Sequence, residues 1–74
     1  MSTLDRLIAI IAKEADKDPT TLSASSSFEG DIGLDSLALV EVILKIEEAF
    51  NVNVPDHEVQ KFKTLGDVVA YLDK

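Results

Sequence analysis

The sequence has no cysteine and no tryptophan, only two prolines and three glycines, and a single histidine, His57. Without cysteine there is neither a disulfide nor a thiolate metal site, so packing alone must stabilise the fold, and the redox compartment is left open. A serine nucleophile needs a base within hydrogen-bond reach. His57 is the one histidine for that role, and it stands in a polar segment with no evident pocket around it, which reads as a solvated residue and not as part of an enzyme. Long apolar runs are missing as well. LIAIIA at 7–12 is too short to cross a bilayer, and Asp5 and Arg6 stand where an export signal would carry only positive charge. The expectation is a cytoplasmic protein without membrane insertion.

Positive charge is also scarce, with seven lysines and arginines against fourteen acids, for a net charge of -7. The imbalance is concentrated. Residues 29–58 hold Glu29, Asp31, Asp35, Glu41, Glu47, Glu48, Asp56 and Glu58 against Lys45 alone, while the flanking segments nearly cancel. Such a field disfavours nucleic acid and anionic membranes and steers basic protein surfaces toward itself. For any single acid, solubility is the commoner explanation. At 74 residues the chain can close one hydrophobic core, hiding only about 60% of its unfolded surface, so residues 1–74 read as a single domain of modest stability.

Apolar spacing then supplies the elements. Leu4, Leu7, Ile8, Ile11 and Ala15 predict a helix over about 3–16, capped by Ser2 or Thr3 and stopped at Asp18-Pro19. From Asp18 to Leu34 no period is sustained, yet Leu22, Phe28, Ile32 and Leu34 recur, as in an ordered loop laid over a core. A second helix should run over about 36–50, with Asp35 as N-cap and Asn51 in the left-handed position after its end. It carries two apolar stripes: Leu39, Ile43, Ile46 and Phe50, and beside it Leu37, Val40 and Leu44. One stripe can serve the core, and the second is a surplus. Ala38, Glu41, Lys45 and Glu48 should face solvent, with Glu41 and Lys45 a favourable i to i+4 pair. Asp56 can cap a short helical piece through Phe62, and Thr64 to Asp67 reads as a capping box opening a last helix over about 65–73. Gly66 inside that first turn is unfavourable by about 1 kcal/mol. The fold class is all-α: a small bundle of three principal helices and one short one, with a long first crossover.

The stretch Gly33-Leu34-Asp35-Ser36-Leu37 places a serine at the mouth of the most apolar helix. Asp31, Asp35 and Glu41 lie close in sequence but lack the alternating oxygen ligands of a calcium loop, and read as a chance cluster. What a helix start does offer is an anion position, where free N-H groups and the helix dipole favour a phosphate attached at Ser36. Asp35 would oppose that anion, turning it outward into water. A serine in a first helical turn is also commonplace, and three residues, D-S-L, do not decide between these readings.

Three longer stretches do more: SSFEGDIGLDSL (26–37), VEVILKIEEAFNVNVPD (40–56) and TLGDVVAYL (64–72). On these the chain resembles the acyl carrier proteins, from the first helix to its last residues. The resemblance implies a four-helix bundle with a long loop after helix one and a short third helix. It also implies that Ser36 receives 4'-phosphopantetheine from coenzyme A through a separate magnesium-dependent phosphopantetheinyl transferase, and that the arm carries acids as thioesters. Partners would be that transferase and the synthases, reductases and dehydratases of fatty-acid synthesis or a related acyl pathway, meeting the chain through basic patches. By the same resemblance Asp35, Glu41, Glu47, Glu48 and Asp56 are charged docking contacts, and Leu37, Val40 and Leu44 apolar ones. Phe28, Ile43, Ile46, Phe50, Val54, Phe62 and Val68 are candidates to line an acyl cavity, although a plain core role suits each. The expected carrier is a freestanding monomer. Ala38, Leu34 and His57 depart from the commonest fatty-acid pattern and leave room for a specialised lipid, polyketide or D-alanyl pathway. The rival of a different class is an unmodified acidic adaptor that binds a basic partner through helix two.

Overall fold

The computed structural model describes residues 2–73 as four α-helices and one 3-10 turn, with no strand among the described residues. Helix α1 spans Thr3–Ala15, α2 Ser36–Phe50, α3 Asp56–Val59 and α4 Leu65–Leu72, and the 3-10 turn is Pro19–Thr21. This is the all-α bundle the periodicity predicts, with the long crossover between α1 and α2 and the short third helix.

Local chemistry sets each boundary. The Ser2 hydroxyl accepts from the Asp5 amide and opens α1. The helix ends at Asp16, whose backbone turns left-handed at φ 55°, so its stop precedes the Asp18-Pro19 pair. Asp18 instead opens the 3-10 turn, accepting from the Thr20 amide and hydroxyl at 2.9 and 2.8 Å. Helix α2 runs between Asp35 and a left-handed Asn51 at φ 54°, as its caps foretell. Helix α3 is shorter than expected and is not capped by Asp56: Pro55 occupies the N-cap in an extended conformation and offers no side-chain acceptor. A complete capping box opens α4, with Thr64 Oγ1 accepting from Asp67 N and Asp67 Oδ2 from Thr64 N.

Helix α1 packs against α2 and α4. The core between them joins Leu7 and Ile11 of α1 to Val42, Ile43 and Ile46 of α2 and to Leu65 and Val68 of α4, with Phe28, Ile32, Val54 and Phe62 arriving from the connections. At the C-terminal end of α2, Arg6 donates to the Ala49 carbonyl and lies 4.2 Å from the centroid of the Phe50 ring. A cation suits that place, because the carbonyl end of a helix dipole is negative and an aromatic face attracts positive charge.

Val42 belongs to the buried face although neither apolar stripe of α2 included it. It lies beside Ile43 and Ile46, so the inward arc is wider than the stripe drawn through Leu39 and Phe50, which are only half-buried. Ala38 is half-buried too and does not stand in solvent. Glu41 and Lys45 are both exposed, and no ion pair joins them among the described residues.

Candidate functional site

The long crossover reaches α2 through a loop that its own polar side chains hold in shape. Ser27 Oγ accepts from the amides of Gly30 and Asp31 at 3.1 and 2.9 Å, and Asp31 Oδ2 returns the bond by accepting from Ser27 N at 2.8 Å. The next turns close on backbone: Ile32 N donates to Ser27 O and Leu34 N to Phe28 O. Gly33 takes φ +81°, a conformation that side chains bearing a Cβ avoid, with open space where a Cβ would project. Phe28 and Ile32 are buried beneath this turn and pin it to the core. Asp31 therefore has a backbone partner and a structural task of its own.

The same loop is stitched to the start of α4. Phe28 N donates to Lys63 O at 3.0 Å, Leu65 N to Ser26 O at 3.1 Å and Gly66 N to Ala24 O at 2.8 Å, forming an isolated antiparallel bridge at Ser27 and Thr64. A Cβ on residue 66 would stand 3.1 Å from the Ala24 carbonyl, so this close approach favours the glycine that helix propensity disfavours.

Those two sets of bonds deliver the chain to Asp35. Its Oδ1 accepts from Ala38 N at 2.8 Å and its carbonyl from Leu39 N at 2.9 Å. Ser36 is the first residue of α2 and is exposed, and none of the described residues engages its hydroxyl in a hydrogen bond. It opens onto a cleft of about 910 Å³ between the loop, α2 and α3. Phe28, Leu39, Val40, Val59 and Phe62 give the cleft its apolar lining, and Glu29, Asp56, Gln60 and Lys63 its polar one.

Below Ser36 along α2, Leu37, Val40 and Leu44 are 70%, 49% and 52% exposed. The surplus stripe is thus uncovered by this chain. Exposed Glu41 and Glu48 lie on the same helix, and Asp35 and Asp56 stand exposed near the cleft mouth. Glu47, which the resemblance implies is a docking contact, differs from the other acids: it is half-buried, and its Oε2 accepts from Val54 N at 2.9 Å across the connection to α3.

Of the seven residues expected around an acyl cavity, Phe28 and Phe62 border the cleft. Ile43, Ile46, Val54 and Val68 are core residues, and Phe50 is half-buried beneath Arg6. Val59, Gln60 and Lys63 also line the cleft and had no place among the residues the sequence singles out. The short helical piece through Phe62 was expected, but nothing in its pattern marked Val59 as a wall of the cleft. His57 is exposed, its Nε2 3.6 Å from Glu58 Oε1, and it does not line the cleft.

Among the described residues no group of three or more histidines, cysteines and acids converges on a point where a metal could bind, and no helix is long and apolar enough to cross a membrane. Two carboxyls are held below the ordinary aspartate range. Asp67 is lowered chiefly by the N-H of Lys63 and next by that of Thr64, and Asp18 by the N-H and then the hydroxyl of Thr20. Neither lies in the cleft; both fasten turns.

Comparison with known proteins agrees with this geometry. The family described as "Phosphopantetheine attachment site" matches residues 5–72. The chain is 36% identical to the acyl carrier protein of Wolinella succinogenes over 99% of its own length and 96% of that protein. It is 42% identical to that of Bdellovibrio bacteriovorus over 88% and 83% of the two chains, and 36% identical to that of Helicobacter pylori over 99% and 94%. Such proteins are carriers and not enzymes, and they work with a modifying transferase and acyl-handling enzymes. An exposed serine heading a helix, a cleft beside it and near full-length similarity converge: the chain belongs to the acyl carrier proteins, which hold acyl groups on a 4'-phosphopantetheine prosthetic group.

Proposed function

We propose that Ser36 is the residue that bears 4'-phosphopantetheine, and that residues 1–74 are one acyl-carrier domain acting as a cytoplasmic monomer. The observation that carries the assignment is the placement of Ser36: an exposed hydroxyl at the first turn of α2, open on the cleft. The position suits an esterified phosphate, because no core side chain must move and the amide end of α2 favours an anion. Asp35 is held by the Ala38 amide and adds repulsion on one side only, which turns the arm toward water. When bound, the arm supplies a terminal thiol that holds acids as thioesters.

The surface beside it suits quick exchange between partners. Leu37, Val40 and Leu44 give a small apolar footing, and Asp35, Glu41, Glu48 and Asp56 give the charge that attracts a basic patch. Charge speeds encounter, and a small apolar contact lets the complex part. The partners of this reading are the phosphopantetheinyl transferase and the synthases, reductases and dehydratases of fatty-acid synthesis.

Intact mass after incubation with a phosphopantetheinyl transferase, coenzyme A and magnesium tests the assignment. The native chain should gain one arm and Ser36→Ala none, while Ser25→Ala, on the exposed crossover, should still gain one. A native chain left unmodified under conditions that modify a control carrier would support the acidic adaptor instead.

A further inference from the structure

We infer that Glu47 is a positioning residue and not a docking acid: it fixes where α3 stands, and through α3 the opening of the cleft at Ser36. The inference rests on Ser36 being the attachment site.

Helix α2 leaves its last turn through residues 51–54, and Glu47 gathers that exit. Its carbonyl accepts from the amides of Asn51 and Val52, the latter at 3.1 Å, and its carboxylate accepts from Val54 at 2.9 Å. One residue thus satisfies three N-H groups of a four-residue connection. The element beyond that connection is short, and of its own side chains Val59 packs half-buried against the core. Helix α3 is a single turn of four residues, its N-cap Pro55 makes no side-chain bond, and its bonds to Pro55 O and Asp56 O are local. It is moored at its ends by the burial of Val54 and Phe62, and within the connection by Tyr71 Oη, which donates to Asn53 O at 3.3 Å. Yet Asp56, Val59 and Gln60 form the wall of the cleft across from Ser36, Leu39 and Val40. A wall built on so short a helix depends on where its connection puts it, and within that connection the Glu47 carboxylate fixes the Val54 amide next to α3.

Position along α2 sharpens the contrast. Residues 37, 40, 44 and 47 follow one another at helical spacing, so Glu47 ends the row of exposed Leu37, Val40 and Leu44 and would be taken for its charged terminus. Glu48, one residue on, is exposed and makes no hydrogen bond or ion pair with the described residues. Two adjacent acids therefore have different work: Glu48 offers charge outward, and Glu47 offers an acceptor inward. A glutamine keeps the acceptor and loses the charge, so it separates these tasks.

The experiment compares Glu47→Gln, Glu47→Ala and Glu48→Gln with the native chain by amide hydrogen exchange and by the rate of arm attachment at low and high salt. Ile11→Val, which loosens the core on α1, serves as a control for general loss of stability. In Glu47→Ala the Val54 amide should exchange about tenfold faster or more, and attachment should slow at both ionic strengths at a temperature where the variant is fully folded. Glu47→Gln should stay near native in both readouts, Glu48→Gln should slow attachment at low salt only, and Ile11→Val should leave attachment unchanged. Two results would overturn the inference: Glu47→Gln behaving like Glu48→Gln, or Ile11→Val slowing attachment as much as Glu47→Ala. If the native chain takes up no arm, the assignment of Ser36 fails by itself, and Val54 exchange still decides what Glu47 holds.

Discussion

Asp35 combines two properties that a pair of substitutions can pull apart. Its Oδ1 closes the first turn of α2 by accepting from Ala38 N at 2.8 Å, and its charge stands next to the Ser36 hydroxyl. Alanine removes both and asparagine removes only the charge. Loss of an N-cap acceptor costs about 1 kcal/mol, and asparagine caps about as well as aspartate. For 74 residues an unfolding entropy of about 2.1 cal/mol/K per residue sums to about 0.16 kcal/mol/K, so that loss lowers Tm by about 6 °C. Asparagine also gives up an attraction of the charge to the helix dipole, of about 0.3–1 kcal/mol at most. Relief of repulsion within an acidic segment offsets part of it. Thermal unfolding followed by circular dichroism should therefore show Asp35→Ala melting about 6 °C below Asp35→Asn, because both lose the charge and only alanine loses the cap. Arm attachment at low salt should slow in both, because both lack the charge. An Asp35→Asn protein that melts as low as Asp35→Ala would refute the capping argument, and one that is modified at the native rate would refute the docking role of this charge.

Gly33→Ala should lower stability by about 1 kcal/mol, since φ +81° penalises a Cβ even with open space around it. Gly33→Asn should recover part of this in the same melting experiment, and equal losses for both would show that the turn relaxes. Asp67 gives a pH signature. Its folded-state pKa is depressed by the N-H groups of Lys63 and Thr64, below an unfolded value of about 3.9. Its contribution is therefore fully present above the unfolded pKa and is lost as pH falls through the folded one. The urea midpoint of the native chain should fall more steeply below about pH 4 than that of Asp67→Asn, closing the gap between them. Parallel curves would show that the bonds to Asp67 do not favour its ionised form.

Helix α2 was legible to the residue because both of its ends are marked by side chains that act locally, Asp35 as acceptor and Asn51 as a tolerant left-handed residue. The uncovered stripe of Leu37, Val40 and Leu44 was legible for a similar reason, since helical spacing alone separates it from the core face. Reading failed where a partner is distant or where two local rules compete. Nothing in the sequence near Glu47 announces a bond to the amide seven residues on, and Val42 is buried because loop and helices close around it. At the start of α3 the proline itself took the capping position from Asp56. The reciprocal bonds between Ser27 and Asp31 were local and still went unread, because the serines there resembled loop filler. Of the site, Ser36 and its acidic surroundings could be named in advance, but the cleft wall of Val59, Gln60 and Lys63 is a product of tertiary packing.

The stitches between the crossover and α4 also order events in time. Ser36 and all of α2 are synthesised before Lys63, Leu65 and Gly66, which hold the loop leading to that serine. A growing or truncated chain would own the hydroxyl without the fixed approach to it. The fixed approach to α2 is then a property of the finished molecule, and the start of α4 is what completes it.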